Sequence, residues 1–235
     1  MTSEAPRRIA LIHALPESVA PVRDAFARLW PEAYAFDVLD SSLAVDLAAA
    51  GTLDAAMIER FAALGDYAAG LRGQAGRTAA ILFTCSAFGP AIDAVAARLS
   101  IPVLKPNEAA FERALALGDR IGLVATFCPA LPSLSIELER TAARLSRRIK
   151  VHGVLAEGAL AALKAGDGAL HDRLAAEAAA SLPEVDAIVL GQFSLARAAG
   201  PVRAAHGAPV LATPDSAVAA LRARLSVGRD DATKG

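Results

Sequence analysis

The chain carries one pattern twice, and that duplication restricts its fold more than any other feature. Aligning Ile81-Leu82-Phe83 with Ile188-Val189-Leu190 brings Pro102-Val103-Leu104 onto Pro209-Val210-Leu211 without a gap. Upstream, Arg8-Ile9-Ala10-Leu11-Ile12 resembles Arg120-Ile121-Gly122-Leu123-Val124. Short apolar runs alternate with amphipathic stretches in both copies, as parallel strands buried on both faces and their covering helices do. The expected fold is α/β, with two pseudo-symmetric Rossmann-like units, each holding a four-stranded, mainly parallel sheet. A cleft is expected between them.

Individual elements follow from periodicity and punctuation. In the first copy, strands are expected at Ile9 to Leu15, Tyr34 to Leu39, Ala80 to Thr84 and Pro102 to Lys105. A helix from Ser18 to Trp30 and a long one from Thr52 to Leu71, ended by Gly73 and Gly76, fall between them. In the second copy the strands are Ile121 to Phe127, Val151 to Ala156, Ala187 to Gln192 and Pro209 to Ala212. Asn107 reads as the cap of a helix to Leu117, and Asp215 as the cap of a last helix to Leu225. The first of these should pack across onto the second unit and the last should return to the first. The first unit is therefore expected to comprise residues 1–106 plus 214–235, and the second 107–213. The run from Ser226 to Gly235 reads as a frayed tail.

Cys85 stands at a corner. It follows the apolar run Ala80-Ile81-Leu82-Phe83-Thr84, and Gly89-Pro90 then open a helix with Ile92, Val95, Ala96 and Leu99 on one face. Ligands in open α/β sheets bind at the carboxyl ends of strands. A helix N-terminus favours a thiolate, so a lowered thiol pKa is expected for Cys85. A buried cysteine that only fills the core is the plainer alternative. The repeat places Gln192 opposite Cys85, on the other wall of the cleft.

Composition excludes several classes. The chain has 235 residues, of which 54% are hydrophobic and 21% charged, enough for a substantial core. A net charge of −1 without a basic stripe argues against nucleic acid and anionic lipid as partners. Apolar runs fall short of membrane-spanning length, and Ile9 to Leu15 is short for a signal peptide and is broken by His13. Two cysteines make no disulfide framework, so a reduced, cytoplasmic protein is expected. Gly70, Gly73 and Gly76 follow a helix and precede a strand, the reverse of a dinucleotide fingerprint. No phosphate loop or zinc spacing is present in the sequence. His171 and His206 read as solvated helix positions, and Lys105 is the one lysine at a strand end, the position a Schiff-base lysine would take.

The duplicated unit, the FTCSAFGP corner, the IPVLKPNEA segment and the ATFCPALPS stretch together resemble the aspartate/glutamate (hydantoin) racemase superfamily, related to maleate isomerases and arylmalonate decarboxylases. The resemblance runs from about Arg7 to Leu225. It implies an isomerase that needs no cofactor, PLP included, and that transfers a proton at the α-carbon of a small carboxylic or amino acid, with Cys85 as acid or base. By position it points to His13, Thr126, Thr84, Ser86, Ala87 through its N–H, Gln192, Phe193 and Ser194 as substrate-binding residues, with Thr126 read as the counterpart of His13. Cys128 is a possible second acid or base. In two-thiol racemases opposite thiols serve the two faces of the α-carbon, and an amide cannot do so. Gln192 therefore leaves arylmalonate-decarboxylase-like or maleate-isomerase-like single-cysteine chemistry as an alternative, and a non-catalytic binder of small acids as another. A homodimer is the expected assembly.

Overall fold

The structure, a computed structural model, describes residues 6–227. Eight parallel strands form two sheets of four, joined by a short hairpin strand on the first. The elements in chain order are β1 Arg8–His13, α1 Val19–Leu29, β2 Tyr34–Leu39, α2 Leu43–Ala50, α3 Ala55–Gly70, β3 Arg72–Gly73, β4 Gly76–Phe83, α4 Gly89–Arg98 and β5 Val103–Leu104. They continue with α5 Glu108–Leu117, β6 Arg120–Ala125, α6 Ala130–Arg144, β7 Lys150–Leu155, α7 Ala159–Lys164, α8 Gly168–Ala180, β8 Ala187–Leu190, α9 Ala199–His206, β9 Val210–Ala212 and α10 Thr213–Val227. Short 3-10 turns at Pro16–Ser18, Ser86–Phe88 and Phe193–Ala198 lead into α1, α4 and α9.

The first sheet runs β2-β1-β4-β5 in parallel, with β3 antiparallel at the start of β4; the second runs β7-β6-β8-β9 in parallel. The repeat persists at the level of single hydrogen bonds. Ile81 N–H donates to Pro102 O at 2.9 Å, and Ile188 N–H to Pro209 O at 2.8 Å; Thr84 N–H donates to Ile12 O at 3.0 Å, and Gly191 N–H to Val124 O at 2.9 Å. Strands β1, β4, β6 and β8 are buried almost throughout because helices cover both faces, which is why they read as continuous apolar runs rather than alternating ones.

Two helices cross between the units. α5 packs on α6 and β8, and α10 packs on α1. Ala217, Val218 and Leu221 of α10 share one cluster with Ile9 and Leu11 of β1 and with Val22, Phe26 and Trp30 around α1. An Arg28–Asp215 ion pair at 2.7 Å ties the surface of that contact.

Several local expectations are corrected. The strands stop earlier than their apolar runs, because the residues after His13, Ala125 and Leu190 turn away from the ladder toward the cleft. α2 was not expected; Leu43, Ala44 and Leu47 give it a buried face, and Gly51, at φ +73°, ends it. Gly73 and Gly76 do not stop a helix. α3 ends at Gly70, and the two glycines pair across the β3–β4 hairpin, with Gly76 at φ +83°. Asn107 is buried, and its side chain caps nothing; Asp215 lies inside α10. The supposed tail begins as the end of α10, and residues 228–235 lie outside the described range.

Candidate active-site cleft

Cys85 and Gln192 occupy equivalent corners. Each has extended backbone, at φ −114° and −139°, between a strand end and a 3-10 turn. At the first corner, the turn that follows brings a backbone N–H back to the side chain. Ala87 N–H thus donates to the Cys85 thiol. Gly191 lets the second corner sit close to α6, since a Cβ there would lie 2.5 Å from Leu134 Cδ1 and 3.4 Å from Val124 O.

Both corners face one small cavity. Thr84, Cys85 and Ser86 line it from the first unit, Gln192, Phe193 and Ser194 from the second, and Leu15 and Ser18 close it at the start of α1. Its volume, about 10 Å³, is room for roughly one water, so the units are closed on each other. Phe193 reaches out of the second unit into the cluster of Ile9, Phe26 and Val218, which belongs to the first sheet and α10. Ser86 Oγ is buried here without a hydrogen-bond partner.

Cys85 is half-buried, and loss of water around its sulfur sets the state of the thiol. Loss of water outweighs the Ala87 N–H and pushes Cys85 up to about 11, against the expected lowering. The helix-terminus argument fails because the 3-10 turn stands between the thiol and the first turn of α4, so a single N–H opposes desolvation.

Gln192 is pinned. Its Oε1 accepts from Thr126 N–H at 2.5 Å, Thr126 Oγ1 at 3.1 Å and Phe127 N–H at 3.2 Å. An oxygen with three donors fixes which way the amide faces, so its Nε2 hydrogens turn away from that nest. Thr126 is the counterpart of Ala14 rather than of His13. β1 and β6 end at His13 and Ala125, and the residue that follows each strand is the one that reaches the corner.

His13 is fully buried, and both its nitrogens are in use. Nδ1 lies 2.8 Å from Ser18 Oγ and from Thr84 Oγ1, and Nε2 lies 3.1 Å from Asp37 Oδ1. A carboxylate only accepts, so Nε2 carries hydrogen and, in the neutral ring, Nδ1 accepts from a hydroxyl. Burial lowers the His13 pKa against the pull of Asp37, which keeps the ring neutral. His13 therefore orients Ser18 and Thr84, two of the hydroxyls at the cavity, and does not itself line it. Cys128 is exposed and off the cavity lining. Ala87 also lies off the lining, with its N–H on the Cys85 thiol. His171 is fully buried with Nδ1 2.8 Å from Asp172, not solvated; Lys105 is paired with Asp93 at 2.8 Å.

Leu15 and Ser18 are cavity residues that the sequence reading left out. The signal was present, because both follow the first strand just as Phe127 and Ala130 follow the matching strand of the repeat. Among the described residues no three His, Cys, Asp or Glu side chains are placed to hold a metal, and no helix is long and apolar enough to cross a membrane.

Two parallel-sheet units closed over a cavity with a thiol on one wall define a cysteine-bearing α/β protein built by duplication. Residues 18–221 match the family model described as Asp/Glu/Hydantoin racemase, and the chain belongs to that family of isomerases. Similar solved structures include a glutamate racemase isoform from Bacillus anthracis, with a TM-score of 0.74 at 14% identity over 96% of this chain and 84% of that one. An allantoin racemase from Pseudomonas fluorescens gives 0.71 at 17% identity over 94% and 92%. An aspartate racemase from Picrophilus torridus gives 0.65 at 11% identity over 92% of each. At these identities the likeness is one of fold. No curated protein matches the chain by sequence.

Proposed function

We propose that this chain catalyses cofactor-independent proton transfer at the α-carbon of a small carboxylic or amino acid, with Cys85 as the acid–base group. The observation that carries the reading is the meeting of Cys85 and Gln192 across one small cavity. Removing the α-proton leaves a planar enediolate, whose charge needs fixed donors in a water-poor site. Ser86 Oγ, which has no protein partner, and the outward hydrogens of Gln192 Nε2 are suited to that charge. The units open to admit substrate, since the closed cavity holds only about one water.

The raised thiol pKa favours a second reading. A thiol that keeps its proton at neutral pH is better fitted to give a proton than to take one. If C–C cleavage releases CO₂ from a malonate, the electron pair left on carbon accepts the Cys85 proton from one face, and no opposite base is needed. Glutamate, aspartate and allantoin, the substrates named for the similar racemases, together with a prochiral arylmalonate, separate the two readings. Incubation in D₂O followed by chiral chromatography and mass spectrometry should show Cys85-dependent α-deuteration of one of the first three, or enantiopure product from the malonate. Cys85→Ala should lose about 10²–10⁴-fold of the rate, and Gln192→Cys should add a donor on the other face and racemise the product. Undiminished turnover by Cys85→Ala overturns the assignment.

A further inference from the structure

Two surface grooves flank the central cavity, and the pseudo-symmetry relates them. One, about 610 Å³, lies between α1 and the turn leading into α9; the other, about 570 Å³, lies between α6 and the start of α4. Both are of ligand size. One buried difference between them puts a charge in the wall. Counting from Arg8 and Arg120, the residue that α1 buries at Ala25 is Glu137 in α6.

Glu137 is only 7% exposed, lines the groove, and its Oε1 has no hydrogen-bond partner. The other acids at this groove are already neutralised, Asp93 by Lys105 at 2.8 Å and Glu108 by Arg144 at 2.9 Å. Neither cation pairs with Glu137. Behind it, the fully buried Asn107 amide turns toward the Glu137 carboxyl and favours its charged form. The walls on either side are apolar, formed by Leu53, Pro90, Pro132 and Ile136, and Ile136 is left 49% exposed. A buried acceptor without a donor costs about 1–3 kcal/mol, more when charged, so such a group points to a missing partner.

We infer that this groove binds a small organic ammonium ion whose N–H groups pair with Glu137 and whose apolar body lies against Pro90 and Ile136. A cation is favoured over a neutral donor because Glu137 is the one acid of the groove without a counter-charge. Burial pushes its carboxyl up to about 7, partly offset by Lys105 and the Asn107 amide and reinforced by Glu108 and Asp93. Binding of a cation should therefore strengthen as pH rises through that value. Lys105 just after β5, Asp93 on α4, Glu108 on α5 and Arg140 and Arg144 on α6 are the other charged groups facing the site.

Benzylamine, with phenylacetate and benzyl alcohol as the anionic and neutral controls, tests this by calorimetry on the full chain. Benzylamine should bind best at pH 8 and at least tenfold more weakly at pH 5.5, as the ionised fraction of Glu137 falls. Glu137→Gln should abolish that pH dependence and weaken binding at least tenfold; Ile136→Asn, at an exposed wall, should weaken it severalfold without altering the fold. Cys85→Ala should bind as the unaltered chain does, which separates this groove from the central cavity. Equal binding by Glu137→Gln, tighter binding of phenylacetate, or no benzylamine binding at millimolar concentration would overturn the inference.

Discussion

Two thiols in one chain meet opposite surroundings. Cys85 is half-buried at a small cavity where desolvation raises its pKa to about 11, while Cys128 is exposed at the start of α6. Alkylation proceeds through the thiolate. Iodoacetamide at pH 8, followed by mass spectrometry of the two peptides, should modify Cys128 first and Cys85 at least tenfold more slowly. The Cys85 rate should keep climbing above pH 9. A Cys85 that reacts early and levels off near neutrality would contradict the burial argument. The sequence showed where Cys85 stands, because an apolar run ending in a polar corner is a local pattern. It did not show the charge state, which depends on residues brought from the other unit, Gln192 and Phe193 among them. For the same reason Ser86 could be picked out as a corner residue, whereas its lack of a partner could not.

At the scale of elements, the repeated strand, turn and helix were legible because the repeat preserves apolar runs and the prolines at Pro102 and Pro209. Short elements were not. α2 is a short alanine-rich helix with little periodicity to read, and β3 is a two-residue strand. The pairing of Thr126 with Ala14 was legible in the sequence, since the register that sets Arg8 on Arg120 sets Ala14 on Thr126. Gly191 shows how tight the corner is. A methyl group there meets Leu134 at 2.5 Å, inside any normal contact, with strand β6 behind it. Gly191→Ala should destabilise the chain by about 1–3 kcal/mol, the usual range for overpacking. Urea unfolding would measure it, with an unchanged slope against denaturant. An unchanged midpoint would mean that Leu134 moves aside freely.

Over the whole molecule, the first sheet is completed by the last helix. Trp30, the single tryptophan, is 2% exposed and lies in the cluster that Ala217, Val218 and Leu221 cover. A chain ending at Ala212 should expose Trp30, shifting its fluorescence to longer wavelength, and should unfold without a sharp transition. A chain ending at Val227 should keep the native spectrum. Native fluorescence from the shorter chain would show that α10 is dispensable to that core. Synthesis gives this arrangement a direction in time. A ribosome delivers the N-terminus first, so β1 and α1 emerge long before the helix that seals them, while residues 120–212 bring every strand of the second sheet in one uninterrupted stretch. The first sheet, made before the second, is thus the later to finish folding, and until α10 leaves the tunnel its apolar face is the one a chaperone would find.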